Sequence, residues 1–239
     1  DTEETMNERS FEIFRREKFF QREGGLELCK RVAITPETLA FYETSEPLSY
    51  YSCSKQTQQN ILIIENKDTF FDIRRYMNSG NDRIMGREFG TVIYGAGKGI
   101  WKTFEDYVNG AERYFLGKNA LFYFGDLDFE GILIFEHLIE QKQYRESGIH
   151  IFKEAYEKML DKAWQLGFSR LPDMKEKQNA NIGTSFLSAF DTELAAQAES
   201  ESLSQAEVYT SLYGQYATEE RIRPFAEENM LATAYFEHL

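Results

Sequence analysis

Three carboxylates carry the chemistry this chain has to offer: Glu65, directly after the aliphatic run ILII at 61 to 64, and Asp126 and Asp128, directly after ALFYFG at 120 to 125. Side chains two apart in an extended segment point the same way, so Asp126 and Asp128 can present both carboxylates to one point. Without a cation they repel each other and one tends to hold a proton. Glu65, brought alongside from a neighbouring strand end, completes a hard, oxygen-only set suited to Mg²⁺ or Mn²⁺. Such an ion polarises a phosphodiester, lowers the pKa of a bound water and steadies the leaving oxygen, with no histidine required. The competing assignment makes Asp126 and Asp128 caps of the following helix and Glu65 a solvated loop residue, since Asp-x-Asp alone is short and common. Position favours ligands: all three follow buried strands, and Gly125 and Gly131 flank the aspartates, leaving room for a phosphate to approach.

Two lysines are candidate phosphate contacts. Lys67 stands two residues after Glu65, and Lys98 lies in the glycine turn YGAGKG at 94 to 99. Backbone amides of such a turn at a helix start can bind anions. The turn lacks the spacing and the Ser/Thr of a Walker A loop, which argues against nucleotide hydrolysis. The stripe of Trp101, Phe104 and Tyr107 reads as core rather than as a base-stacking platform, and His137, inside an apolar helix, reads as structural. With only Cys29 and Cys53, and His137, His150 and His238 scattered, neither a disulfide framework nor a nitrogen- or sulfur-ligated zinc site can be assembled.

Strands and helices in alternation position these groups. ILII (61 to 64), TVIY (91 to 94), ALFYF (120 to 124) and IHIF (149 to 152) are short apolar runs bounded by polar residues, as strands buried on both faces would be. Helices are expected from about Asp68 to Asn78, from Trp101 onwards with Phe104, Tyr107, Val108, Ala111, Tyr114 and Phe115 at helical spacing, from Gly131 to Ile139, and along Tyr156, Met159, Leu160, Ala163 and Trp164. Four such alternations predict an α/β fold: a four-stranded parallel sheet flanked by helices, with its ligand site at the carboxyl ends of the strands. Residues 1 to 59 form a helical N-terminal part and linker. There a helix over 8 to 23 carries an apolar stripe of Phe11, Ile13, Phe14, Phe19 and Phe20 and stops at Gly24-Gly25, a short helix opens at Thr35-Pro36, and 43 to 59 connects. Residues 60 to 170 form the sheet domain. Residues 171 to 239 form an acidic helical extension, with helices near Ser185 to Ala198 and from Pro224 onwards.

The 239 residues carry a net charge of −13, unevenly placed. Residues 61 to 170 hold 15 basic and 17 acidic groups, whereas 171 to 239 hold 4 and 12, so a positive face remains available in the middle and the tail is unsuited to phosphate. No apolar run is long enough to cross a bilayer and no export signal opens the sequence, so a cytoplasmic protein without a membrane contact is expected. The first residue is Asp1, and the chain reads as part of something longer.

ENKDTF (65 to 70) and GDLDFEG (125 to 131), each behind an aliphatic strand, resemble the glutamate and aspartate motifs of a TOPRIM domain, the second in the wording of the topoisomerase VI A branch. The likeness covers residues 60 to 165. ERSFEIFRREKFF (8 to 20) adds a likeness to the C-terminal region of the D subunit of the Wadjet plasmid-defence system. This resemblance implies a TOPRIM-like, Mg²⁺-dependent nuclease that cuts DNA presented by a loop-extruding, condensin-like SMC partner complex, usually as a homodimer. It assigns Glu65 as a metal ligand or acid/base and Asp126 and Asp128 as holders of the ion. It gives no role to Arg15, Arg16 or Glu130. Topoisomerase relatives use a tyrosine on an upstream winged helix; only 60 residues precede the motifs here, and Tyr42, Tyr50 and Tyr51 are poor substitutes, so hydrolysis by water fits better than a tyrosyl intermediate. A catalytically silent module docking a partner protein, or an enzyme acting on RNA or a nucleotide, remains as an alternative.

Overall fold

The computed structural model describes residues 2 to 166, Gln178 and residues 185 to 190. The chain divides between Glu46 and Pro47 into two compact units. The first contains β1 (Glu4–Thr5) paired in parallel with β2 (Phe41–Tyr42), and helices α1 (Met6–Phe14), α2 (Phe19–Arg22), α3 (Gly25–Arg31) and α4 (Pro36–Leu39). Phe20, Cys29 and Phe41 form its core. The single helix expected over 8 to 23 is broken. Arg15 adopts a left-handed conformation at the end of α1, and buried Ser10 ties down the reversal by donating its hydroxyl to Arg16 O (2.6 Å) and accepting the Phe20 N–H (3.3 Å). Once the helix is broken the expected apolar stripe does not form: Phe20 is buried, whereas Phe11, Ile13 and Phe14 are exposed.

The second unit is built on a sheet of five strands: β3 (Tyr50–Ser52), β4 (Asn60–Ile64), β7 (Thr91–Tyr94), β8 (Ala120–Phe124) and β9 (Ile149–Ile151), in the order β3-β7-β4-β8-β9. A small hairpin, β5 (Arg83–Ile84) and β6 (Arg87–Glu88), precedes β7. The four aliphatic runs form the four parallel strands that were expected. The fifth strand, β3, was expected to be linker and pairs antiparallel with β7 at the sheet edge. It escapes pattern recognition because an edge strand of three residues, Tyr-Tyr-Ser, has no aliphatic run and no room for alternation. Tyr114 seals it by donating its hydroxyl to Ser52 Oγ at 3.1 Å.

Helices α5 (Lys67–Asn78), α6 (Ile100–Val108), α7 (Phe129–Glu140) and α8 (Lys153–Leu166) follow β4, β7, β8 and β9 in turn, and α9 (Ser185–Phe190) is described further along. α6 is shorter than its apolar spacing suggested. It ends at Val108, and Tyr114 and Phe115 sit on a separate 3-10 turn. Ile61 to Ile64 and Leu121 to Phe124 are buried, as strands walled by neighbours and by helices on both faces must be. From β4 the chain moves to β7 on one side, then crosses back past β4 to β8 on the other. That reversal opens a crevice at the carboxyl ends of β4 and β8. Of the expected extension, α9 coincides with the start of the helix at Ser185; the rest, including the helix from Pro224, lies outside the described residues. Among the described residues no helix is long and apolar enough to cross a membrane.

Candidate active site

Glu65 is set down at this crevice by the ladder itself. Its backbone N–H still donates to Phe124 O (3.1 Å), one residue beyond the last paired positions of β4 and β8, Ile64 and Phe124. In this register Ile63 lies opposite Tyr123, so Glu65 projects to the same face as Tyr123. The Tyr123 hydroxyl donates to Glu65 Oε2 at 3.0 Å, and the Asp126 N–H reaches the same oxygen at 3.3 Å. Tyr123 is fully buried. A tyrosine in the middle of an apolar strand must find a partner for its hydroxyl, and this is the signal in ALFYF that points to the glutamate.

The glycines act differently from expectation. A Cβ on Gly125 would stand 2.2 Å from Glu65 Oε2, and one on Gly131 would stand 2.1 Å from Asp126 O and 3.3 Å from Glu65 Oε2. The space at Gly125 is therefore taken by Glu65, and Gly131 lets the aspartate loop close over the start of α7; neither is an open approach for a phosphate. Tyr156 of α8 holds the loop from behind, its hydroxyl accepting the Gly125 N–H at 3.0 Å.

Asp128 caps α7, accepting the Gly131 N–H at 2.8 Å, and its second oxygen accepts from Gln178 Nε2 at 2.5 Å. It is 5% exposed. The cap assignment is thus correct for Asp128, without removing its charge from Glu65's surroundings. Burial first, then the Asp126 carboxylate, and to a lesser degree Asp128, push Glu65 up to about 8, against the opposing pull of the Tyr123 hydroxyl and the Asp126 N–H. Half-buried and facing two other carboxyls, Glu65 is thus biased toward its protonated form.

The donor chemistry fits a hard divalent cation: three carboxyls, no nitrogen or sulfur, and mutual repulsion that positive charge would relieve. As the side chains lie, no three acidic, imidazole or thiol groups among the described residues are drawn into a metal-holding arrangement. Asp128 is committed to Gly131 and Gln178, so coordination would require it to turn.

Lys98 and Lys67 are placed differently. Lys98 ion-pairs with Glu130, stapling the turn after β7 to the first turn of α7 and giving Glu130 a partner that sequence reasoning did not supply. Lys67 opens α5, exposed, behind an Asn66 cap that accepts from the Asp68 N–H at 2.8 Å. The glycine turn serves chain packing: Gly95 N–H donates to Ile64 O at 2.7 Å, and a Cβ there would meet that oxygen at 3.1 Å. His137 is exposed, its ring 4.2 Å from that of Trp101, whose indole N–H donates to Ile134 O at 3.1 Å. The hydroxyls of Tyr50 and Tyr51 are engaged. Tyr50 donates to Glu112 at 2.8 Å and burial drives it away from ionisation, and Tyr51 donates to Asn78 Oδ1 at 3.3 Å.

Compared with known families, residues 27–176 match the one described as Wadjet protein JetD, C-terminal. No curated protein and no solved structure matches the chain.

Proposed function

The chain belongs to the family of the C-terminal region of the Wadjet protein JetD, and from that premise we propose that it is the TOPRIM-like, metal-dependent nuclease part of a Wadjet plasmid- and phage-defence system. The observation that carries this reading is the meeting of Glu65 with the aspartate loop at the sheet's switch point, where the Tyr123 hydroxyl and the Asp126 N–H both reach Glu65 Oε2 and the Asp126 and Asp128 carboxylates raise its pKa. Glu65, Asp126 and Asp128 would hold Mg²⁺ or Mn²⁺, which when bound supplies Lewis acidity toward a phosphodiester oxygen and a more acidic water. Glu65, held by the Tyr123 hydroxyl, would serve as a ligand or, once deprotonated to solvent, as the proton acceptor during attack on phosphorus. Asp126, half-buried at the loop, and Asp128, at the helix cap, would orient the ion, while the Tyr156 hydroxyl holds the loop at the Gly125 N–H.

The engagement of the Tyr50 hydroxyl by Glu112 and of the Tyr51 hydroxyl by Asn78 favours hydrolysis over attack by either tyrosine. The substrate would be DNA delivered by a condensin-like partner complex, with the nuclease acting as a dimer in the cytoplasm. One observation favours a second reading, a catalytically silent docking module: Asp128 is already satisfied by Gly131 and Gln178. Reconstitution with the partner complex separates them. Cutting should require Mg²⁺ or Mn²⁺, vanish in Glu65→Ala, and leave DNA ends free of protein after denaturation and phenol extraction. Cutting by Glu65→Ala, or ends covalently attached to this chain, would overturn the hydrolytic reading, and a wild-type protein that binds the complex without ever cutting would favour the silent module.

A further inference from the structure

Helix α5 begins two residues beyond Glu65 and presents Lys67, Phe71, Arg74 and Asn78 to solvent at i, i+4, i+7 and i+11, so these four form one stripe along its outer face. The stripe runs about 16 Å away from the carboxylates. Beside it lies a cavity of about 560 Å³, lined by Tyr51, Phe71, Asp72, Arg74, Arg75 and Asn78. Phe71 is 46% exposed, and the Arg74 guanidinium lies 4.4 Å over its ring. Such a flat pair, guanidinium on aromatic, is a surface on which a base can stack. Charge selects the same ligand. Among the described residues Arg9, Arg16, Arg87, Lys98, Lys153 and Lys158 form ion pairs with carboxylates; Lys67, Arg74 and Arg75 are among the cations that form none. In a chain of net charge −13, α5 carries three cations against the two acids Asp68 and Asp72, and with Asp72 the single acid lining the cavity this local positive excess complements phosphate.

Resting on the reading of the carboxylates as a DNA-cutting site, we propose that the outer face of α5 is a track that leads a DNA strand to them, with Arg74 and Arg75 on phosphates, Phe71 under an unstacked base and Lys67 nearest the scissile position. Binding of a fluorescent single-stranded oligodeoxynucleotide to the intact chain, followed by anisotropy at low salt without divalent metal, tests it. Arg74→Ala/Arg75→Ala should weaken binding at least about tenfold and lower the slope of log Kobs against log salt by about 1.4, the value for two phosphate contacts on a single strand. Arg74→Lys/Arg75→Lys should keep the slope, which separates lost charge from a damaged fold. Phe71→Ala should lose about tenfold with the slope unchanged, because stacking releases no counterions. Lys118→Ala, at the far end of the sheet, should bind as wild type. Equal binding by wild type and the arginine and phenylalanine variants would overturn the track while leaving the cutting site standing, and an equal loss in Lys118→Ala would reduce the effect to diffuse charge and overturn it as well. Binding through α5 by a protein that never cuts with Mg²⁺ or Mn²⁺ would uphold the track and sink the nuclease reading. A ribo-oligonucleotide bound more tightly than its DNA counterpart would overturn the assignment to DNA.

Discussion

The two ends of the central sheet are built from the same strands and are satisfied in opposite ways. At the amino ends of β4, β7 and β8 the side chains that hydrogen-bond the strands together, Gln59, Asn60, Thr91 and Asn119, are neutral. Gln59 accepts from the Thr91 hydroxyl (2.9 Å) and donates to Gln56 O (2.8 Å), Asn60 donates to Glu88 O (2.7 Å), and Asn119 accepts the Gln59 N–H (3.2 Å) while donating to Tyr114 O (2.8 Å). The backbone is drawn so tight there that a Cβ on Gly117 would stand 1.7 Å from Thr57 O and one on Gly90 2.2 Å from Gln59 Oε1. At the carboxyl ends Glu65 faces the Asp126 carboxylate and, more weakly, that of Asp128, and with burial these push it up to about 8. Amides and hydroxyls stabilise the first end; the second carries an electrostatic conflict that the fold alone would gain by losing. Such local conflict in an otherwise consistent sheet is what a functional site looks like in energetic terms.

The largest expected break in this comparison is catalytic. Glu65→Gln keeps the shape and both hydrogen bonds to the side-chain oxygen, yet it should reduce cutting by at least about a thousandfold, because the amide can neither ligate strongly nor accept a proton. The same variant should unfold at a higher temperature than wild type at pH 9 without metal, where wild-type Glu65 is forced to ionise. Next in size is the pH dependence of the metal-free protein. Glu65 titrates at about 8 folded, against its ordinary value of 4.5 when unfolded, so the folded state binds the extra proton between those values. Stability from this group is complete below about pH 4.5 and is lost as pH rises through 8, a decline on the order of 5 kcal/mol. Urea midpoints across pH 5 to 9 measure it; a flat profile in wild type, or an equal decline in Glu65→Gln, would remove the conflict from this end of the sheet.

Which parts of this contrast were legible beforehand follows from what a one-dimensional pattern can carry. Buried parallel strands announce themselves as aliphatic runs, and the residue after each run must stand at the sheet's carboxyl edge, so Glu65, Asp126 and the four parallel strands could be placed. Asp128 could be placed but not its double engagement, because Gln178 comes from fifty residues away and carries no motif. The pairing of Lys98 with Glu130 is also tertiary, since two loops separated along the chain meet only when β7 and α7 are side by side. Gly125 was noticed and misassigned: a glycine beside a motif records close approach, and whether a ligand or a neighbouring side chain makes that approach is settled by the third dimension. β3 and the Ser10-pinned break between α1 and α2 were missed for the same reason, since each depends on a partner rather than on local periodicity.

Mg²⁺ or Mn²⁺ should shift the two ends unequally. A cation that binds only the folded state adds about 2.7 kcal/mol at a hundred times its dissociation constant, which for a chain of this size is about 5 to 10 °C in Tm. Binding must displace the Glu65 proton, so the increment should grow from pH 6 to pH 8 and one proton should be released in calorimetry. Asp126→Asn/Asp128→Asn should abolish the increment. An equal increment in that variant would place the ion elsewhere.

The smallest effect sharpens the comparison from the other side. Gln59→Ala removes an acceptor for the Thr91 hydroxyl, leaving fully buried Thr91 dependent on Ser52 Oγ at 2.8 Å alone, and opens a gap over Gly90. Because Ser52 retains one hydrogen bond to Thr91, the loss should be about 1 to 2 kcal/mol rather than the larger penalty of an orphaned buried group. It should be independent of pH between 5 and 9, since no titratable side chain takes part in that bond, and the metal increment should be the same as in wild type. If Gln59→Ala instead changed the pH profile or the response to Mg²⁺, the two ends of the sheet would be coupled through β4, and the separation between a neutral, stabilising end and a charged, chemical end would fail.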